Sequence, residues 1–252
     1  MKITKPLIFN YFKLLFRTTL FILAFIFYLL FKIKNFNIIE QTYFPYFLWG
    51  IWGIFILEMS LRFFPSNLIE QGCQKQFKIN YIPKESNELK LQSWKKTFGV
   101  LMFWIILNLT LGILYLTGVI DKGILILVTL FYGVGDIVCI LFFCPYRFFM
   151  KNRCCMDCRI YNWDYIWFFT LLIFIPSFYT YSLVFVALLI LIHWEISYRV
   201  HPERFSTSTN DYISCKNCKE KMCIHRKKFE LAVTKMLNVL KVKKWLKFLM
   251  KF

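Results

Sequence analysis

Apolar runs long enough to cross a bilayer recur along this chain, and they leave its backbone one solution. In hydrocarbon every peptide N–H and C=O must find a partner within the protein, so runs of about twenty apolar residues fold as α-helices that bundle together. The runs fall at roughly 12–31, 43–64, 98–119, 124–144, 164–178 and 180–199. Hydrophobic residues make up 58% of the chain and Phe alone contributes 30, above the ~45–50% apolar content of soluble domains. The expectation is an all-α integral membrane protein with about six transmembrane helices in residues 1–200. A Cys-rich segment (201–225) and a basic amphipathic helical tail (226–252) follow. The first run is too long for a signal-peptide core and no small-residue cleavage site follows it, so it is expected to stay as an anchor.

Basic residues orient the bundle. The connections alternate between rich and poor in Lys and Arg. The loop after run two carries Lys75, Lys78, Lys84, Lys90, Lys95 and Lys96, and the loop after run four carries Arg147, Lys151, Arg153 and Arg159. By contrast, the loop after run three holds only Lys122, and the turn at 176–180 holds none. The positive-inside rule then places both termini in the cytosol. It also accounts for the formal net charge of +18 without nucleic acid as a partner. The partners expected are the lipid bilayer and, for the tail, the anionic lipids of the cytosolic leaflet.

Two cysteine clusters flank the last pair of runs. One is Cys154, Cys155 and Cys158; the other is Cys215, Cys218 and Cys223. A hairpin through a bilayer returns to the side it left, so both clusters are expected on the reducing cytosolic side, where stable disulfides are rare. Thiolates at C-x2-C spacing converge on one ion, and two such pairs complete a tetrahedron. Cys155, Cys158, Cys215 and Cys218 are the expected core ligands, with Cys144, Cys154, Cys223 and His225 as further candidates. Structural zinc is the first cofactor expected. An iron–sulfur cluster, a redox dithiol and no metal at all remain open, because Cys215-x2-Cys218-x4-Cys223 is nearer to cluster spacing than to a zinc finger.

Ionisable residues within apolar runs are costly and mark an interior or a cavity. Glu58, Asp136, His193 and Glu195 are of this kind. All four are expected in the inner half of the bilayer, as one polar chamber beside the cysteines. Glu195 has Arg199 nearby as a partner, and Gly133 and Gly135 beside Asp136 allow close helix approach. These residues support a third reading, a small-solute or ion transporter using Asp136 and Glu58. The sequence carries no phosphate-binding glycine loop, nucleophile elbow or H-E-x-x-H motif.

In the tail, Phe229, Val233, Met236, Leu237 and Leu240 form one apolar stripe, and Val242, Trp245, Leu246 and Leu249 form another about half a turn away. That offset predicts a kink near 240–243. Finally, Arg153-Cys154-Cys155 with Cys158-Arg159-Ile160-Tyr161-Asn162-Trp163-Asp164, and His201-Pro202-Glu203-Arg204-Phe205 followed by Cys215-x2-Cys218, resemble the motifs of a family of uncharacterised bacterial multi-span membrane proteins. The resemblance covers roughly 144–225. It implies a bacterial cytoplasmic membrane location and carries no activity.

Overall fold

The computed structural model describes residues 4–34, 44–85, 88–150 and 155–220, together with 223, 227, 231 and 235. The described residues form helices and no strand; one isolated bridge pairs Pro83 with Asn210. Five helices are long and apolar enough to cross a membrane. They are α1 (Lys5–Lys34), α2 (Phe44–Ser60, continued by a 3-10 turn to Phe63), α4 (Trp94–Leu116), α5 (Lys122–Leu141) and α8 (Phe178–Val200). Shorter helices intervene: α3 (Gln71–Gln74), α6 (Tyr146–Met150) and α7 (Asp164–Phe169). The expectations for the tail 226–252, for Cys154 and for His225 fall outside the described residues, apart from Lys227, Leu231 and Lys235.

Local chemistry sets the helix ends. Gly118 takes a left-handed φ of 75° just past α4, a conformation that ends helices at little cost only for glycine. Three residues on, the Asp121 carboxylate caps α5 by accepting from the backbone N–H of Ile124 at 2.9 Å. Helix α8 ends at Val200, just before His201-Pro202, since the residue preceding a proline is disfavoured in helical geometry.

The run expected at 164–178 is not one long helix. It forms α7, a 3-10 helix over Thr170–Phe174, and an extended connection through Pro176. The indole N–H of Trp163 donates to Glu195 near one end of α8 at 3.0 Å. At the other end the Trp49 ring meets Phe178 and Tyr179, with centroids 6.2 and 5.4 Å apart. From Phe178 to Glu195 α8 rises about 26 Å. The returning chain matches that length with about 9 Å of α-helix, about 10 Å of the steeper 3-10 helix and about 10 Å of extended chain.

Glycine notches seat this segment. A Cβ added to Gly133 would lie 2.5 Å from the Phe168 ring, and one added to Gly112 would lie 2.1 Å from the Phe174 ring. Helix α4 thus accepts one ring and α5 the other. Gly112→Leu is expected to lower stability by about 1–3 kcal/mol or more through overpacking, read as a drop in unfolding temperature in detergent. Gly99→Ala on the same helix, where an added Cβ meets nothing within 4 Å, should change little.

The bundle is apolar outside and charged within. Large apolar side chains such as Phe12, Leu15, Phe103, Phe131 and Phe185 are exposed, whereas Asn10, Lys13, Arg17, Glu58 and Arg62 are buried. That inversion suits lipid as the surrounding solvent. The polar connections gather at one end as a cap, centred on residues 64–93. There Lys84 N–H donates to Thr209 O at 3.0 Å and Asp211 N–H to Ile82 O at 2.8 Å. Arg204 Nη1 donates to Gln76 O at 3.0 Å, and Lys75 Nζ donates to Met156 O at 2.6 Å.

Candidate functional site

Helix α1 buries Leu7, Asn10, Lys13, Arg17 and Leu20, a single face at three- and four-residue spacing. This face carries two cations into the bundle. The Arg17 guanidinium is 2% exposed and holds three partners. It donates to Glu58 Oε1 at 2.9 Å, to Asp136 Oδ2 at 3.2 Å and to the carbonyl of Gly133 at 3.0 Å. The Phe168 ring lies 4.9 Å from its carbon. Lys13 Nζ reaches the same Glu58 oxygen at 3.1 Å and Glu70 Oε1 at 3.7 Å.

A third buried cation, Arg62 at the end of α2, extends the network into the cap. It donates to Asp164 Oδ2 at 2.7 Å and to Asn162 Oδ1 and Cys73 Sγ, and it lies 3.8 Å from Glu70 Oε2. Burial alone would raise the Glu70 carboxyl, but Lys13 and Arg62 beside it hold it below its ordinary range. Burial pushes the Cys73 thiol well up, and Glu70 adds to that against the opposing pull of Arg62. Glu220, brought in from the second cysteine segment, accepts from the Gln71 N–H. Burial, and then the neighbouring Glu70 charge, push its carboxyl up to about 8. Isolated buried charges are prohibitively costly, so this concentration persists only because the groups face one another.

Beside the network lies a cavity of about 270 Å³ between α4, α5, α6, α7 and the first cysteine segment. Rings dominate its wall. Trp104 stacks on Trp167 at 5.1 Å and meets Tyr132 at 4.7 Å, and Tyr146 meets Trp167 at 4.8 Å. Asp136 and Asp164 also line it, as do Cys139, Cys144, Cys155 and Cys158. Asp136 keeps 20% of its side chain open. Burial, and then the nearby Cys155, push the Cys158 thiol up to about 12.

Of the four ionisable groups within apolar runs singled out from sequence, the structure brings Glu58 and Asp136 together on Arg17. Glu195 lies elsewhere, and its partner is Arg159 at 2.5 Å; the sequence had suggested Arg199. His193 sits between the Phe63 and Phe77 rings, 6.1 and 6.2 Å from their centroids. The four therefore do not form one chamber. Cys155 and Cys158 line the cavity, whereas Cys215 and Cys223 are exposed and Cys218 is half-buried. Among the described residues no three His, Cys, Asp or Glu side chains gather closely enough to hold a metal ion.

Lys13, Arg17, Arg62, Glu70 and Asp164 are the members that sequence reasoning missed. The signal for the first two was present in the spacing 7, 10, 13, 17, 20, which places them with apolar residues on a shared face. Their position near the start of the first run is also where basic residues that merely flank an apolar run would fall.

No family model matches the chain, and no curated protein or solved structure shows significant similarity to it.

Proposed function

We propose that this chain is a six-crossing protein of the bacterial cytoplasmic membrane, with both termini in the cytosol, that takes a small solute into the cavity beside its intramembrane carboxylates. The carrying observation is Asp136, which is paired with Arg17, and through it linked to Glu58, on one side and lines the cavity on the other. Five membrane-length helices support the location. The clustering of the basic connections at one end of the bundle supports the orientation. Away from the cap the interior is filled by Phe55, Phe169, Leu171 and Leu183, so the cavity is one-sided and passage of a solute requires rearrangement.

The test uses proteoliposomes challenged in turn with isotopically labelled small amines, carboxylates and neutral amphiphiles, with retained label as the signal. A solute-evoked signal that Gly135→Leu abolishes is the expected outcome. No response to any class, from protein that is folded by circular dichroism, overturns the reading.

A structural metal shared by the two cysteine segments is a second reading, favoured by one observation. Both segments bind the same stretch of the cap: Lys75 Nζ contacts the carbonyls of Met156 and Cys158 at 2.6 and 3.2 Å, and Gln71 Oε1 accepts from Lys219 N–H at 3.1 Å. Elemental analysis of the intact protein should then find about one zinc, lost in a Cys155→Ala/Cys215→Ala variant. Brown protein containing iron would replace zinc with a cluster, and metal-free wild type would end this second reading.

A further inference from the structure

The cavity's chemistry narrows what it can hold, and the inference rests on the solute-binding reading above. Three buried cations, Lys13, Arg17 and Arg62, pair with four carboxylates, Glu58, Glu70, Asp136 and Asp164. Asp136 has Arg17 as its ion-pair partner, which it shares with Glu58, and it is the carboxylate with the most open side chain, facing the cavity. Asp164 also lines the cavity and is nine-tenths buried, and its Oδ1 has no hydrogen-bond partner. The residues lining the cavity thus include two carboxylates and no Lys, Arg or His, in surroundings of low polarity where charge is expensive.

The rest of the wall is aromatic. Tyr132, Trp104, Trp167 and Tyr146 form a continuous chain of rings with neighbouring centroids 4.7–5.1 Å apart. Ring faces attract cations, and boxes of rings with a nearby carboxylate suit substituted ammonium groups, whose apolar shell is cheap to desolvate. At the rim, Phe103 and Phe131 are 62% and 60% exposed on the outer faces of α4 and α5. The entrance therefore lies sideways between two apolar helix faces. We propose that this cavity binds a small amphipathic organic cation drawn from the bilayer, its nitrogen among the rings and beside Asp136.

Gly135 makes the test clean. It lines the cavity, and a Cβ added there meets nothing within 4 Å. A leucine there begins in open space, so Gly135→Leu is expected to narrow the cavity at little cost to the fold. The full chain in detergent is titrated with benzyltrimethylammonium, with quenching of tryptophan fluorescence as the readout. A parallel titration uses neopentylbenzene, which has carbon in place of the nitrogen. The expected result is saturable quenching by the ammonium, at least ten-fold tighter than by the hydrocarbon. Gly135→Leu should weaken it ten-fold or more with the unfolding temperature unchanged. Asp136→Asn should weaken it too. If that variant does not fold, the two ligands and Gly135→Leu decide the matter. Equal binding of both ligands, lost in Gly135→Leu, overturns the cation and leaves the cavity reading standing. Binding of neither, or binding that Gly135→Leu does not touch, overturns both.

Discussion

Arg17→Met is expected to lower the unfolding temperature of the purified protein by about 10 °C or more, the largest effect of any single substitution in the bundle. The guanidinium is buried and serves Glu58, Asp136 and the Gly133 carbonyl together. Removing one partner of a buried pair costs about 3–5 kcal/mol, because a charge is left without compensation, and in a chain of this size that is a shift of roughly 6–20 °C. The origin of the loss can be tested by a second change. Glu58 retains Lys13 at 3.1 Å, so the stranded group in Arg17→Met is Asp136. Arg17→Met/Asp136→Leu removes it and should recover a good part of the lost stability. Strong non-additivity in that cycle identifies the ion pair as the source. If the double variant is as unstable as the sum of the single ones, the packing of Arg17 on Phe168 matters more than its charge.

Arg62→Met is expected to open the cap. Arg62 joins α2 to Cys73, Asn162 and Asp164, three points on two separate connections, and its own carbonyl accepts from Gln76 at 2.9 Å. Loss of the side chain should release the 64–80 stretch from the segment that leads into α7. The readout is Cys73, which is fully buried. Its labelling by maleimide should rise at least ten-fold. Chemistry alone would move the rate the other way, since Arg62 is the main neighbour favouring the thiolate, so faster labelling reports exposure. An unchanged rate in a folded variant would show that the cap is held by its backbone hydrogen bonds instead.

The long helices were legible because a run of apolar residues near twenty has few alternatives in lipid. For α4, α5 and α8 both type and rough extent were readable. The polar stretch 65–97 was not, since its order comes from long-range bonds such as Lys75 to the 156–158 carbonyls. Residues 164–178 looked like the other runs in composition. What shortens their helix is Phe168 and Phe174 seating in notches at Gly133 and Gly112, a property of partners far away in sequence. The site was legible in halves. Glu58 and Asp136 stood out as carboxylates among apolar neighbours, but the arginine joining them was hidden near the start of its helix. Gly133 was rightly suspected of admitting a close neighbour, whereas Gly135, two residues on, faces open space.

The clipped helix at Asp164–Phe174 bears on how the protein is made. Eleven residues are too few to be threaded into a bilayer unaided, and they begin with an acidic group whose counter-ion, Arg62, was synthesised about a hundred residues earlier. Its place is completed by α5 and Arg62, which precede it, and by α8, which follows it, so the stretch is expected to settle only once α8 has been synthesised. A chain that stops at Pro176 would lack α8, one of the helices against which residues 164–174 pack, and is expected to leave that stretch unsettled.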